Sequence, residues 1–163
     1  MPITLREATD ADETFLRAVY ASTRAQELAA VPWNDEQKAA FVNMQFDAQH
    51  SHYHSQFPEA NYQIILSGDE PIGRIYILRE KDIIRILDVT LLLEKRNAGV
   101  GTELIRDLIH EADQSGKSLH IWVEDFNPST HFFERLAFSK VQQEGFNCLL
   151  EYRASMVEGK ANC

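Results

Sequence analysis

The chain has 163 residues, the size of one domain around one core. An apolar fraction of 44% and a charged fraction of 25% are ordinary for a globular protein, and no apolar run approaches the roughly 20 residues that span a bilayer. A net charge of −9 with no basic stripe argues against nucleic acid as a partner and favours a cationic small molecule, such as an amine.

Met1 to Glu7 lacks the cationic stretch followed by an apolar stretch that marks a signal peptide, so a cytoplasmic location without a membrane is expected. Cys148 lies in an apolar run and Cys163 is the last residue; neither has a metal-ligand neighbour at short spacing, and both read as reduced thiols. A single domain over 1–155 followed by a tail at 156–163 is expected, with no linker or repeat.

Ile3 to Glu7 alternates as a short strand. Thr9 to Glu13 supplies cap chemistry for a first helix carrying Phe15, Leu16, Val19 and Tyr20, fraying near Glu27 to Ala30. Asn34 caps a second helix, whose inward face is predicted at Phe41, Met44, Gln45 and Ala48 and which fades near Pro58. Tyr62 to Leu66 and Ile72 to Leu78 form a hairpin, and a longer strand runs from Ile83 to Leu92. Leu104, Ile105, Leu108, Ile109 and Ala112 then share one helical face, ending at Ser115-Gly116. Leu119, Ile121 and Val123 make a strand. Asn127-Pro128 opens a helix with Pro at its first position and Phe132, Phe133 and Leu136 inward; Ser139 to Glu144 and Cys148 to Tyr152 close the chain as a hairpin. This order predicts an α/β (α+β) fold: a mixed, mostly antiparallel sheet of about seven strands flanked by about four helices.

The strongest chemical signal is Arg96-Asn97-Ala98-Gly99-Val100-Gly101-Thr102, between a strand and an amphipathic helix. The first helical N–H groups lack intrahelical partners, and the macrodipole leaves partial positive charge there. Glycines at 99 and 101 remove the Cβ atoms that would keep a phosphate from the backbone, and Arg96 adds a fixed charge. The plain alternative is a glycine-containing helix start with no ligand.

A second stretch, Asn127-Pro128-Ser129-Thr130-His131-Phe132-Phe133-Glu134-Arg135-Leu136-Ala137-Phe138, bears on that alternative. Together the two stretches resemble the GNAT superfamily of N-acetyltransferases, in the bacterial single-domain form. Arg96, Gly99 and Gly101 match the family's Gln/Arg-x-x-Gly-x-Gly/Ala loop, and the resemblance covers Ile3 to Arg153 in element order.

The resemblance implies acetyl transfer from acetyl-CoA to a primary amine of a small-molecule or peptidyl acceptor, by direct attack without an acyl-enzyme. It implies that Thr90, Leu91 and Leu92 pair with the pantetheine arm, that the Leu91 N–H stabilises the oxyanion, and that Arg96, Asn97, Ala98, Gly99, Val100, Gly101 and Thr102 hold the pyrophosphate. Asn127 and Phe133 border the cofactor. It also implies an acceptor pocket at the break between the first two helices, with Arg24, Glu27 and Trp33, and an edge at the closing hairpin on which such domains often form a homodimer.

Two positions depart from the family. Phe133 stands where a Tyr usually protonates the CoA sulfur, and Ala137 where Gly is usual. Water or another donor must then protonate the thiolate, or the domain binds acyl-CoA as a sensor with little catalysis. Asp88, before the oxyanion donor, is the first candidate base and Glu27 the second. The alternatives are a partner for Arg85 or Arg74 and a solvated helix end. His50 and His54 have the spacing of a two-His metal site, yet no third ligand follows, so no metal is expected. His50 stays with Tyr53 as a pocket polar group, and His131 is expected in solvent.

Overall fold

The computed structural model describes residues 2–154; the expected tail at 156–163, with Cys163, lies outside them. The described residues fall into two compact units, 2–76 with 88–98 and 77–87 with 99–154. Seven strands follow the order β1-β2-β3-β4-β5-β7-β6 in a mostly antiparallel sheet.

In the first unit, β1 (Ile3–Glu7) pairs antiparallel with β2 (Asn61–Ser67), from Ile3↔Ser67 to Glu7↔Gln63. Leu5 is more open than its alternation predicts, at 38% exposure. The cap chemistry at Thr9 is present: the Asp12 carboxylate accepts from the Thr9 N–H and takes both Arg6 guanidinium nitrogens at 2.8 Å. Helix α1 (Glu13–Ala29) follows, and α2 (Asp35–Gln56) starts at a reciprocal box: Gln37 N–H donates to Asn34 Oδ1, and Asn34 N–H to Gln37 Oε1.

The inward face of α2 differs from the one predicted. Val42 and Phe46 are buried, while Met44 is 61% exposed. Period alone left several registers open on this polar helix, and the apolar groups of α1 and β2 selected one. Val42 and Phe46 join Leu16, Tyr20, Leu28 and Ile64 in a cluster, each such side chain contributing roughly 1.5–3 kcal/mol when fully buried.

Strands β3 (Glu70–Arg79) and β4 (Ile83–Leu91) run from one unit into the other. In the second unit, the first part of β4 pairs parallel with β5 (Ser118–Glu124), from Ile83↔Ser118 to Ile86↔Ile121. Such a parallel pair needs a crossover, supplied by α3 (Val100–Ser115). Its buried face is Leu104, Ile105, Leu108 and Ala112, and Gly116 ends it in the left-handed region at φ 68°. Helix α4 (Ser129–Arg135) starts one residue after Pro128. The closing hairpin, β6 (Ser139–Glu144) and β7 (Asn147–Tyr152), lays β7 antiparallel to β5.

Candidate active site

The ladder between β4 and β5 ends at Ile86 and Ile121, while β4 continues to Leu91. On that continuation lies Asp88. Its Oδ2 accepts from Arg74 Nε at 2.5 Å, and Thr90 Oγ1 donates to its Oδ1 at 3.1 Å. Of its two candidate cross-strand partners, Asp88 therefore takes Arg74. Arg85 pairs instead with Glu80 at 2.6 Å.

Arg74 is 2% exposed and also donates to Gln49 Oε1 of α2 at 2.8 Å and to the Tyr76 hydroxyl at 3.5 Å. Burial opposes its charge, yet the adjacent Asp88 carboxylate, together with Tyr76 and Tyr53, outweighs this and keeps the guanidinium's pKa above its ordinary value.

After β4, Leu93 to Lys95 form one 3-10 turn, and Arg96 Nε returns to the Leu91 carbonyl at 3.1 Å. Asn97 (φ 64°) and Gly99 (φ 84°) then adopt left-handed conformations that turn the chain into α3. The first helical bond in this turn is Glu103 N–H to Gly99 carbonyl at 3.0 Å, so the amides of Val100, Gly101 and Thr102 precede the intrahelical ladder. A Cβ on Gly101 would meet only Phe132 Cζ, at 3.6 Å. This is the backbone geometry of an anion cradle.

The residues expected around an acceptor make separate contacts. Glu27 is largely exposed and pairs with Arg24 at 3.2 Å, whose Nε donates to the Tyr20 hydroxyl. Trp33 packs edge-on against Phe41 at 5.3 Å. Tyr53 packs edge-on against Tyr76 at 5.4 Å, and burial pushes its phenol far above its ordinary pKa.

Three rings spaced four apart on α2 form a ladder: Phe46 stacks on His50, His50 lies 4.3 Å from His54, and His54 stacks on Tyr62. Burial first, then His50, lower the His54 pKa. Among the described residues no group of three or more His, Cys, Asp or Glu could hold a metal ion. An apolar groove of about 520 Å³ between α1 and α2, lined by Ala18, Ala21, Ala25 and Ala39, includes none of these acceptor residues.

In the second unit, Asn127 Oδ1 accepts from the Ser129 N–H at 2.9 Å, closing the turn into α4. Phe133, at 2% exposure, packs between Phe132 and Phe138. Phe132 is only half-buried, so of the two aromatics expected inward it is Phe133 that enters the core. Ala137 is left-handed at φ 72°, the conformation that makes Gly usual there. His131 is exposed beside Glu134.

Two features of this unit are not foreseeable from spacing, because strand pairing assembles them. One is a pocket of about 290 Å³ lined by Trp122, Glu144 and Asn147. The other is the chain His120–Glu151–Arg153, with both contacts at 2.8 Å.

A mostly antiparallel sheet, one parallel pair bridged by a helix and a glycine-bearing helix start together make up a mixed α/β architecture. The model of the acetyltransferase (GNAT) family matches residues 15–138, and the chain belongs to that family. Solved structures agree in fold. The PaiA N-acetyltransferase of Thermoplasma acidophilum, in complex with coenzyme A, superposes with a TM-score of 0.68 at 16% identity, over 94% of this chain and 99% of that one. An acetyltransferase of Thermus thermophilus gives 0.67 at 17%, over 94% and 97%. The ribosomal-protein-S18-alanine N-acetyltransferase of Escherichia coli gives 0.62 at 16%, over 95% and 96%. At these identities the likeness is one of fold, and no curated protein matches the sequence. Among the described residues no helix is long and apolar enough to cross a membrane.

Proposed function

We propose that the protein transfers the acetyl group of acetyl-CoA to a primary amine of a small-molecule or peptidyl acceptor, by direct attack in a ternary complex. Family membership supports acetyl transfer in general. The observation that carries the donor assignment is the pair of left-handed residues, Asn97 and Gly99, which turn the chain into the start of α3. In this reading the amides from Ala98 to Thr102 hold the pyrophosphate and Arg96 supplies charge. Thr90, Leu91 and Leu92 align the pantetheine arm, the Leu91 N–H faces the thioester carbonyl, and Asn127 and Phe133 border the cofactor.

Asp88 is the proposed proton acceptor for the attacking ammonium, directly or through one water, and Glu27 is the second candidate. Arg74 and Thr90 fix the Asp88 carboxylate, which a positioned base requires. Arg24, Glu27, Trp33 and Tyr53 are the proposed acceptor contacts. The net charge of −9 suits a cationic acceptor.

A second reading, an acyl-CoA sensor with little catalysis, rests on Phe133, which has no proton for the departing thiolate. CoA release measured against an amine panel, beside calorimetric binding of acetyl-CoA, separates the two. Turnover supports the enzyme, binding without turnover on any amine favours the sensor, and no binding sinks both. Phe133→Tyr is expected to speed turnover at low pH with unchanged cofactor affinity; no change would mean that protonation never involves that position.

A further inference from the structure

Gly73 lies in β3, outside every motif discussed above. Its φ lies outside the left-handed region, so conformational freedom does not explain the glycine. Space does. A Cβ at position 73 would lie 2.3 Å from the Thr90 carbonyl oxygen, 3.0 Å from Leu91 Cα and 3.0 Å from Leu91 Cδ2. The Thr90 carbonyl thus fills the volume that any other side chain at 73 would need.

That carbonyl belongs to the same peptide group as the Leu91 N–H. The peptide is trans, so its C=O and N–H point in opposite directions. With the oxygen directed at Gly73, the Leu91 N–H is directed away from β3. The next amide does the reverse: Leu92 N–H donates to the Ile72 carbonyl of β3 at 2.9 Å. Arg96 Nε holds the Leu91 carbonyl, the other end of that same peptide group. One peptide of β4 is therefore turned outward beside a neighbour tethered at both its N–H and its C=O, and the missing Cβ of Gly73 leaves room for the turn.

We infer that Gly73 is a positioning residue: it sets the direction of the Leu91 N–H by accommodating the Thr90 carbonyl. This rests on the reading above, in which that N–H faces the thioester carbonyl. A methyl group at 73 must push the carbonyl back by about 1 Å, rotating the peptide and its N–H together, and displacement on that scale can cost about 100-fold in rate. The pyrophosphate cradle does not involve this peptide, so CoA should still bind through its pyrophosphate, losing only pantetheine contacts, while thioester polarisation is lost.

The test uses Gly73→Ala in the full chain. Its probes are CoA, for calorimetric affinity, and acetyl-CoA labelled with ¹³C at the thioester carbonyl, for difference infrared spectroscopy. In the wild type, the bound carbonyl band is expected below its free position. In Gly73→Ala, CoA still binds, with affinity reduced only by the disturbed pantetheine contacts, and the band returns to the free position. Retention of the low band in the variant overturns the role of Gly73 alone; failure of the wild type to bind acetyl-CoA overturns the functional reading and this inference with it.

Should Gly73→Ala not fold, amide hydrogen exchange in the ligand-free wild type decides. The Leu92 amide should be protected and the Leu91 amide should exchange fast. Equal protection of the two would mean that the Leu91 N–H is not turned outward, and would overturn the inference.

Discussion

Arg74 and Asp88 form an ion pair in which the cation is sealed in and the anion is not. The Arg74 side chain is 3% exposed and the Asp88 side chain 21%, with Nε–Oδ2 at 2.5 Å. Arg74 cannot leave its place, because Gln49 and Tyr76 receive its other nitrogens. The carboxylate keeps part of its surface toward solvent. Removing one partner of such a buried pair costs more than removing both. Arg74→Met is expected to destabilise the fold by about 3 kcal/mol in urea unfolding, and Arg74→Met/Asp88→Leu should recover most of that loss. Equal loss in both would show that the pair is not the source.

Gly101 offers a separation of folding from binding. Nothing closer than 3.6 Å would meet a Cβ there, and the residue lies in the first turn of α3. Gly101→Ala should leave thermal stability unchanged or raise it by up to about 1 kcal/mol. Its affinity for acetyl-CoA should be retained, since the family's loop accepts Ala at this position, whereas the branched side chain of Gly101→Val should lower that affinity at least about tenfold if the backbone amides here hold the pyrophosphate. Calorimetry showing wild-type affinity in Gly101→Val would remove Gly101 from the site.

Ala137 holds a left-handed conformation at φ 72° in the turn after α4. For an L-residue with a Cβ this costs roughly 1 kcal/mol, which glycine avoids. Ala137→Gly should therefore raise stability by about 1 kcal/mol in chemical denaturation, unlike most glycine substitutions. A lower midpoint would mean that the turn relaxes in solution.

Arg6 holds the Asp12 carboxyl down at about 2, from an ordinary 3.8, chiefly by its hydrogen bonds; burial works against the shift. A carboxylate with a depressed folded-state pKa contributes stability above its unfolded value. That contribution is lost as pH falls through the folded value. The pair should contribute about 1–2 kcal/mol above pH 4, discounted because Arg6 is 42% exposed, and lose it between about pH 4 and 2. Unfolding free energies of Asp12→Asn across that range should lack this portion of the acid dependence.

Most of the scaffold was legible from local signals. The Asn34 cap, the stop of α3 at Gly116 and the glycine-bearing start of α3 each depend on a few consecutive residues, whose backbone requirements are written in their types. The face of α2 was not legible: Met44 and Phe46 are both apolar, and only contact with Tyr20 shows which turns inward.

By itself the sequence determined the order of elements, the family signatures and a glycine-bearing helix start. Helix period, caps and glycine positions are properties of neighbouring residues, and they survive without knowledge of the rest of the chain. The tertiary structure decided that Asp88 takes Arg74 rather than Arg85, that Phe133 rather than Phe132 enters the core, and that Gly73 leaves room for the Thr90 carbonyl. Each depends on which residues pairing and packing bring together across distant parts of the chain, and no local pattern carries that information.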